Sequence, residues 1–166
     1  MEHFLSRYAP YLYALMRIMI GVQYASHGVQ KLFGVLGGVG GPPGGTVPLW
    51  SLLGVAGLIE LCGGLLITVG WWAGSAAFLA SGEMATAYFL QHAPRGFWPI
   101  HNSGERAVLY CFLFLSIASR GAGRWSLDRL RGNSLEGSGA SNTQVREATS
   151  LGGEPPDVRP GHLGDG

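Results

Sequence analysis

The chain has 166 residues, 47% of them hydrophobic and 13% charged, with a formal net charge of +1. That charged fraction is about half of the ~25% found in ordinary soluble domains, so much of the surface must be solvated by something other than water. Near-neutrality supplies no basic field, and no Lys/Arg cluster alternates with aromatics, which argues against nucleic acid as a partner.

The few charges are unevenly placed. Before Arg120 the chain holds only Glu2, Arg7, Arg17, Lys31, Glu60, Glu83, Arg95, Glu105 and Arg106, and all the others follow. This divides it into an apolar domain, residues 1–131, and a polar tail, residues 132–166, rich in Gly, Ser and charge and expected to be disordered.

The first apolar stretch runs from about Pro10 to Phe33 and ends in "HGVQKL". Arg17 interrupts it where the core of a signal peptide must be continuous, and no small-x-small cleavage site follows, so this helix is expected to stay. At 100° per residue, Lys31 lies about 40° and His27 about 80° from Arg17, with Tyr24 among them, so the polar residues share one face. The loop that follows, Gly34 to Pro48, is rich in Gly and Pro; without the Lys-Ser/Thr ending of a phosphate-binding loop it reads as a lid or linker.

The second stretch, Leu49 to Val69, carries Glu60, with Ala56, Gly57, Gly63 and Gly64 within about 60° of its direction. Such a small-residue surface lets helix backbones approach, so the carboxylate is expected to point inward. Gly70 and its neighbours leave room only for a tight turn into the third stretch, Trp71 to Gln91, where Ala76, Ala80 and Ala87 flank Glu83 and aim it inward as well. The fourth stretch, Glu105 to Ser119, is short; Asn102 and Glu105 have the spacing of a capping box. Beyond it, "GAGRWSLDRL" reads as a short interfacial helix capped by Ser126, with Trp125, Leu127 and Leu130 on its apolar side.

Stretches this long and this apolar approach the ~20 residues that a bilayer-spanning helix needs. A soluble four-helix bundle is the competing reading, but its helices would each show a charged face, and these do not. The expected fold is all-α: an integral membrane four-helix bundle with a disordered C-terminal tail. Arg7 precedes the first helix and Arg120, Arg124, Arg129 and Arg131 follow the fourth, which puts both termini on the cytoplasmic side of the plasma (inner) membrane. Trp50, Trp71, Trp72 and Trp98 fall at helix ends or in the outer loop, as an aromatic belt requires.

An ionisable group at bilayer depth costs at least ~2.5 kcal/mol, so each one asks for an inward position and a partner. A rise of 1.5 Å per residue places Lys31, Glu105 and Arg106 within ~3 Å of the outer boundary, His27 at ~9 Å, Glu83 at ~12 Å, Glu60 at ~16 Å and Arg17 at ~24 Å. His27, Lys31 and Glu83 are then neighbours at an outer mouth, while Arg17 reaches toward Glu60; with Arg106 these six residues are the candidate ligand-binding or proton-relay set. Cys62 and Cys111 differ in depth by ~11 Å and read as core fillers. No spacing such as His-x-x-x-His points to a metal.

Four blocks in order carry a family pattern: "RIMIGVQYASHGVQKLFG", "GLIELCGGLLITVGWW", "GEMATAY", and "GERAVLY" followed by "GAGRWSLD". Over roughly residues 10–130 the chain thus resembles the DoxX family of small four-helix membrane proteins. The resemblance implies a connection to membrane redox complexes: the family is similar to the small subunit of an archaeal thiosulfate:quinone oxidoreductase. In that reading the ligand is a quinone or a small anionic reductant, His27 and Lys31 hold an oxygen of it, and Glu60 or Glu83 accepts or relays protons. Because no residue here carries electrons, a partner redox subunit is required. Two other readings stay open, a scaffold or assembly subunit whose polar cluster sets helix register, and a small-solute or proton transporter built as a homo-oligomer.

Overall fold

Glu2–Phe33 forms a first helix, α1, of 32 residues. It begins two turns before the expected start, because Pro10 lies inside it: a proline removes one hydrogen bond without forcing the helix to end there. The computed structural model describes residues 2–39 and 44–130, and the expected polar tail lies outside the described residues. Helix α2 covers Leu52–Val69, α3 Ala73–Ala87, α4 Pro99–Asn102 and α5 Glu105–Arg120; a π-helical turn at Tyr88–His92 and a 3₁₀ turn at Ala93–Arg95 continue α3. The chain is all-helical, with no strand among the described residues.

Local chemistry sets the boundaries. Ser51 caps α2, its hydroxyl accepting from Gly54 N at 3.0 Å. Gly70 ends the helix at φ 71°, where a Cβ would lie 2.4 Å from that of Ser126, so only glycine fits. Helix α3 starts two residues later than expected because Trp72 also takes a left-handed conformation, at φ 48°. Its first free N–H groups are capped from a distance: Asp128 accepts from Trp72 N at 2.9 Å and Ala73 N at 3.2 Å. The capping box at α5 does not form. Gly104 is the cap residue, and the buried Asn102 is used elsewhere.

Helix α1 packs on α2, α3 on α5, and α2 joins the two pairs. The α1–α2 seam is glycine against backbone. A Cβ at Gly28 would lie 2.5 Å from Gly57 O, and one at Gly64 2.4 Å from Ala25 N. Replacing Gly64 by Val should therefore split the seam and cost about 1–3 kcal/mol or more, whereas Gly63→Ala, whose methyl would lie 3.6 Å from the Tyr24 ring, should leave the melting temperature unchanged. Thermal unfolding of both purified variants checks the pair. Between α3 and α5 the alanines Ala76, Ala77 and Ala80 are buried, and Ser81 donates to Cys111 O at 2.9 Å. Tyr24, Ile67, Phe114 and Ile117 fill the centre. Cys62, expected in the core, faces outward, since the glycines beside it occupy the packed side of α2.

The outer surface is apolar on all four long helices. Leu15, Met19 and Val22 on α1, Leu58 and Leu65 on α2, Phe78 and Leu79 on α3, and Leu109, Phe112 and Leu115 on α5 are exposed, while Arg17 and Glu60 are buried. Fully buried charges and large exposed apolar faces are both uncommon in water-soluble proteins. Among the described helices one, Leu52–Val69, is by itself long and apolar enough to cross a membrane, at a mean hydropathy of 2.2. The other three stretches fall short for identifiable reasons. The apolar residues of α1 are interleaved with Arg17, Gln23, Ser26, His27, Gln30 and Lys31, α3 as a regular α-helix has 15 residues, and α5 has 16.

Candidate functional site

The two ends of the helix bundle are built differently. At the end where α2 turns into α3, Arg17 is fully buried and its guanidinium donates to four backbone carbonyls. One nitrogen serves Ile67 O and Thr68 O, the latter at 2.8 Å; the other serves Trp125 O at 2.7 Å and Arg124 O at 3.4 Å. The expected pairing of Arg17 with Glu60 is thus corrected. The last carbonyls of α2 lack intrahelical partners and attract a cation, and a planar fork of donors can satisfy them together with the segment after α5. That segment is fastened further. Tyr13 donates to Gly121 O at 2.7 Å, Asp128 N donates to Gly70 O at 3.0 Å, Arg124 stacks over the Tyr11 ring at 4.6 Å, and Ser126 caps the turn into residues 127–130 by accepting from Arg129 N at 3.3 Å.

At the opposite end the two helix pairs part and leave a cavity of about 830 Å³ that is open on one side, where Leu52, Phe78, Leu79 and Leu90 are exposed. His27, Gln30 and Lys31 from α1, Glu60 from α2, Glu83 from α3, and Arg106 and Tyr110 from α5 supply polar groups to it, and Thr86, Gln91, His92 and Ser103 add others. The walls are Leu52, Leu53, Val55, Ile59, Phe78, Leu79 and Leu90. Five of the six candidates, His27, Lys31, Glu60, Glu83 and Arg106, therefore share one space; Arg17 lies away from it, among the carbonyls just described.

The partners within the cavity differ from those expected. Lys31 Nζ donates to Glu60 Oε1 at 2.7 Å, a pair in which Glu60 is almost fully buried and Lys31 half-buried. Glu60 Oε2 has no hydrogen-bond partner among the described residues. Glu83 Oε2 accepts from the Tyr24 hydroxyl at 3.0 Å, and the Tyr24 ring packs edge-on against Phe114 with centroids 4.6 Å apart. His27 lies edge-on to Tyr110, whose hydroxyl donates to Gln23 Oε1 at 2.9 Å. Two carboxylates, an ammonium, an imidazole and a guanidinium thus line one largely apolar cavity, a set that combines hydrogen-bond donors and acceptors with groups able to exchange protons.

The mouth is shaped by the turn that ends α3. A π-helical turn at Tyr88–His92 adds one residue to the helical repeat, and Gln91 and His92 line the cavity there. Asn102 locks the connection: its Nδ2 donates to Gly96 O at 2.6 Å and to the Tyr88 hydroxyl at 3.3 Å, and its Oδ1 accepts from Gly104 N at 2.8 Å. Tyr88 in turn donates to Phe97 O, and His92 Nδ1–H to Asn102 O at 3.0 Å. Tyr24, Gln30, Tyr110 and Asn102 are site or support residues that were not among the six candidates. For Tyr24 the signal was present, because it lies within the polar arc of α1; for Asn102 the local bond from Gly104 N, two residues on, is a turn contact typical of asparagine, whereas its bonds to Gly96 O and the Tyr88 hydroxyl depend on the fold.

Comparison with known proteins gives a family. A protein of Haemophilus influenzae described as uncharacterized is 40% identical over 134 residues, which cover 75% of this chain and 93% of that protein. No solved structure matches. The family model described as DoxX matches residues 12–93, a stretch that includes Arg17, His27, Lys31, Glu60 and Glu83, and the chain belongs to the DoxX family.

Proposed function

We propose that this protein is a multi-pass inner-membrane subunit of a quinone-linked redox complex, and that the cavity between the helix pairs binds the quinone head group. In this reading residues 1–131 form the bilayer domain, both termini face the cytoplasm and residues 132–166 are a cytoplasmic tail. Family membership supports the membrane setting. So do the exposed Leu, Met and Phe side chains on every long helix and the exposed Trp50, Trp71, Trp72 and Trp98 near helix ends. Non-helical backbone at the mouth is tolerated at membrane depth where it lines a cavity.

The observation that carries the reading is the convergence of Lys31, Glu60, Glu83, His27 and Arg106 on one cavity of about 830 Å³ whose remaining lining is mostly aliphatic and aromatic. Ligand sites of this kind are mostly apolar, with a few placed polar groups, and measure ~300–1,000 Å³. A scaffold role would call for a filled interior. Lys31, His27 and Arg106 can donate to quinone oxygens, Glu83 and Glu60 can exchange the protons that quinone chemistry moves, and electrons come from a partner subunit or its cofactor.

Protein purified in lipid nanodiscs and extracted with organic solvent is expected to yield bound quinone, and a short-chain benzoquinone should quench its intrinsic fluorescence saturably. Absence of both would overturn the assignment.

A further inference from the structure

The cavity floor has an uneven supply of donors and acceptors. Glu60 is 2% exposed and is one of the residues lining the chamber; its Oε1 is taken by Lys31, while its Oε2 is buried just beneath that lining and has no hydrogen-bond partner among the described residues. A carboxylate can only accept, so a ligand atom beside Oε2 must carry a hydrogen to bond with it. Across the floor the other carboxylate, Glu83, accepts the Tyr24 hydroxyl hydrogen, so that tyrosine has none left to give. Lys31 Nζ has two hydrogens beyond the one given to Glu60. Side by side, then, lie a donor and a vacant acceptor.

We infer that this floor is matched to a phenolic hydroxyl, and that the site holds the reduced, hydroxyl-bearing form of its ligand, a hydroquinone, in preference to the oxidised quinone. The inference rests on the quinone-site reading. A hydroxyl accepts from Lys31 and donates to Glu60 Oε2 at once. A quinone carbonyl accepts from Lys31 but sets its lone pairs against the Glu60 oxygen. Sites that place a buried polar group against a ligand hydroxyl discriminate strongly against analogues lacking it, because that group is then left unpaired.

The test uses the full chain in nanodiscs under anaerobic conditions, with three probes that share one ring: a short-chain hydroquinone, the corresponding quinone, and the dimethyl ether of the hydroquinone. Expected is hydroquinone binding tighter than quinone by about 10-fold or more, with the ether, which has the shape but no hydrogen to donate, no better than the quinone. Glu60→Gln keeps an oxygen for Lys31 and turns an amide donor toward the ligand, so it should reverse the preference. Equal binding of hydroquinone and quinone by the wild-type protein overturns the inference and leaves the quinone site standing, and binding of none of the three overturns both. An unchanged preference in Glu60→Gln removes the role assigned to Glu60. Should that variant fail to fold, the wild-type ranking of the three probes decides alone.

Discussion

Lys31→Met should destabilise the protein by about 3–5 kcal/mol, because it strands the Glu60 carboxylate in a site with no other charge partner in contact among the described residues. The pair is held at 2.7 Å with the glutamate side chain only 3% exposed, so its surroundings cannot solvate a lone charge. Removing both partners tells a different story: Lys31→Met combined with Glu60→Leu should recover most of the loss, since a well-packed apolar pair replaces a buried ion pair at little or no cost. Reversible unfolding in mixed micelles, run on the two single variants and the double, measures the coupling. A single variant as stable as wild type would show that the pair contributes nothing to the fold and that Lys31 serves the ligand alone.

Arg17→Lys should release the segment after α5. An ammonium is compact and lacks the fork that reaches the α2 carbonyls on one side and Trp125 O on the other, so at least one side is abandoned. Hydrogen bonds from a charged group contribute about 1.5–3 kcal/mol each, and two are at stake on either side, which puts the loss near 3 kcal/mol or more. The readout is local as well as global: trypsin should cut after Arg120 and Arg124 faster in the variant than in the wild type. Unaltered cleavage would mean that Tyr13, Asp128 and Ser126 hold the segment without Arg17.

How much of this was legible beforehand follows from what a helical repeat encodes. Periodicity gives the direction of a side chain around its own axis, and on that basis the inward aim of Glu60 and Glu83 and the shared arc of Tyr24, His27 and Lys31 could be read directly. Pairing needs the rotation and stagger of two helices, which no single repeat contains. Counting depth from helix ends put Lys31 some 13 Å outside Glu60. In the folded chain residues 44–51 pack over the end of α1, where Val47 N donates to Lys31 O at 3.0 Å, so Lys31 sits beneath a covering loop and meets Glu60. The same limitation explains Arg17. Its carbonyl partners at 124 and 125 lie more than 100 residues along the chain, on a segment whose position depends on where α5 ends.

Composition and spacing alone therefore establish an all-helical chain with apolar exteriors, glycine-faced seams and a few charges turned inward, because each of these follows from residue type and the 3.6-residue period. Assembly of the bundle assigns the partners: Lys31 to Glu60, Tyr24 to Glu83, Arg17 to four carbonyls, and Asn102 to the turn at the mouth. Hydrogen bonds and ion pairs act over about 3 Å, while the path of the chain between partners runs to tens of residues, so they form only once helix crossing and stagger have brought distant segments into contact.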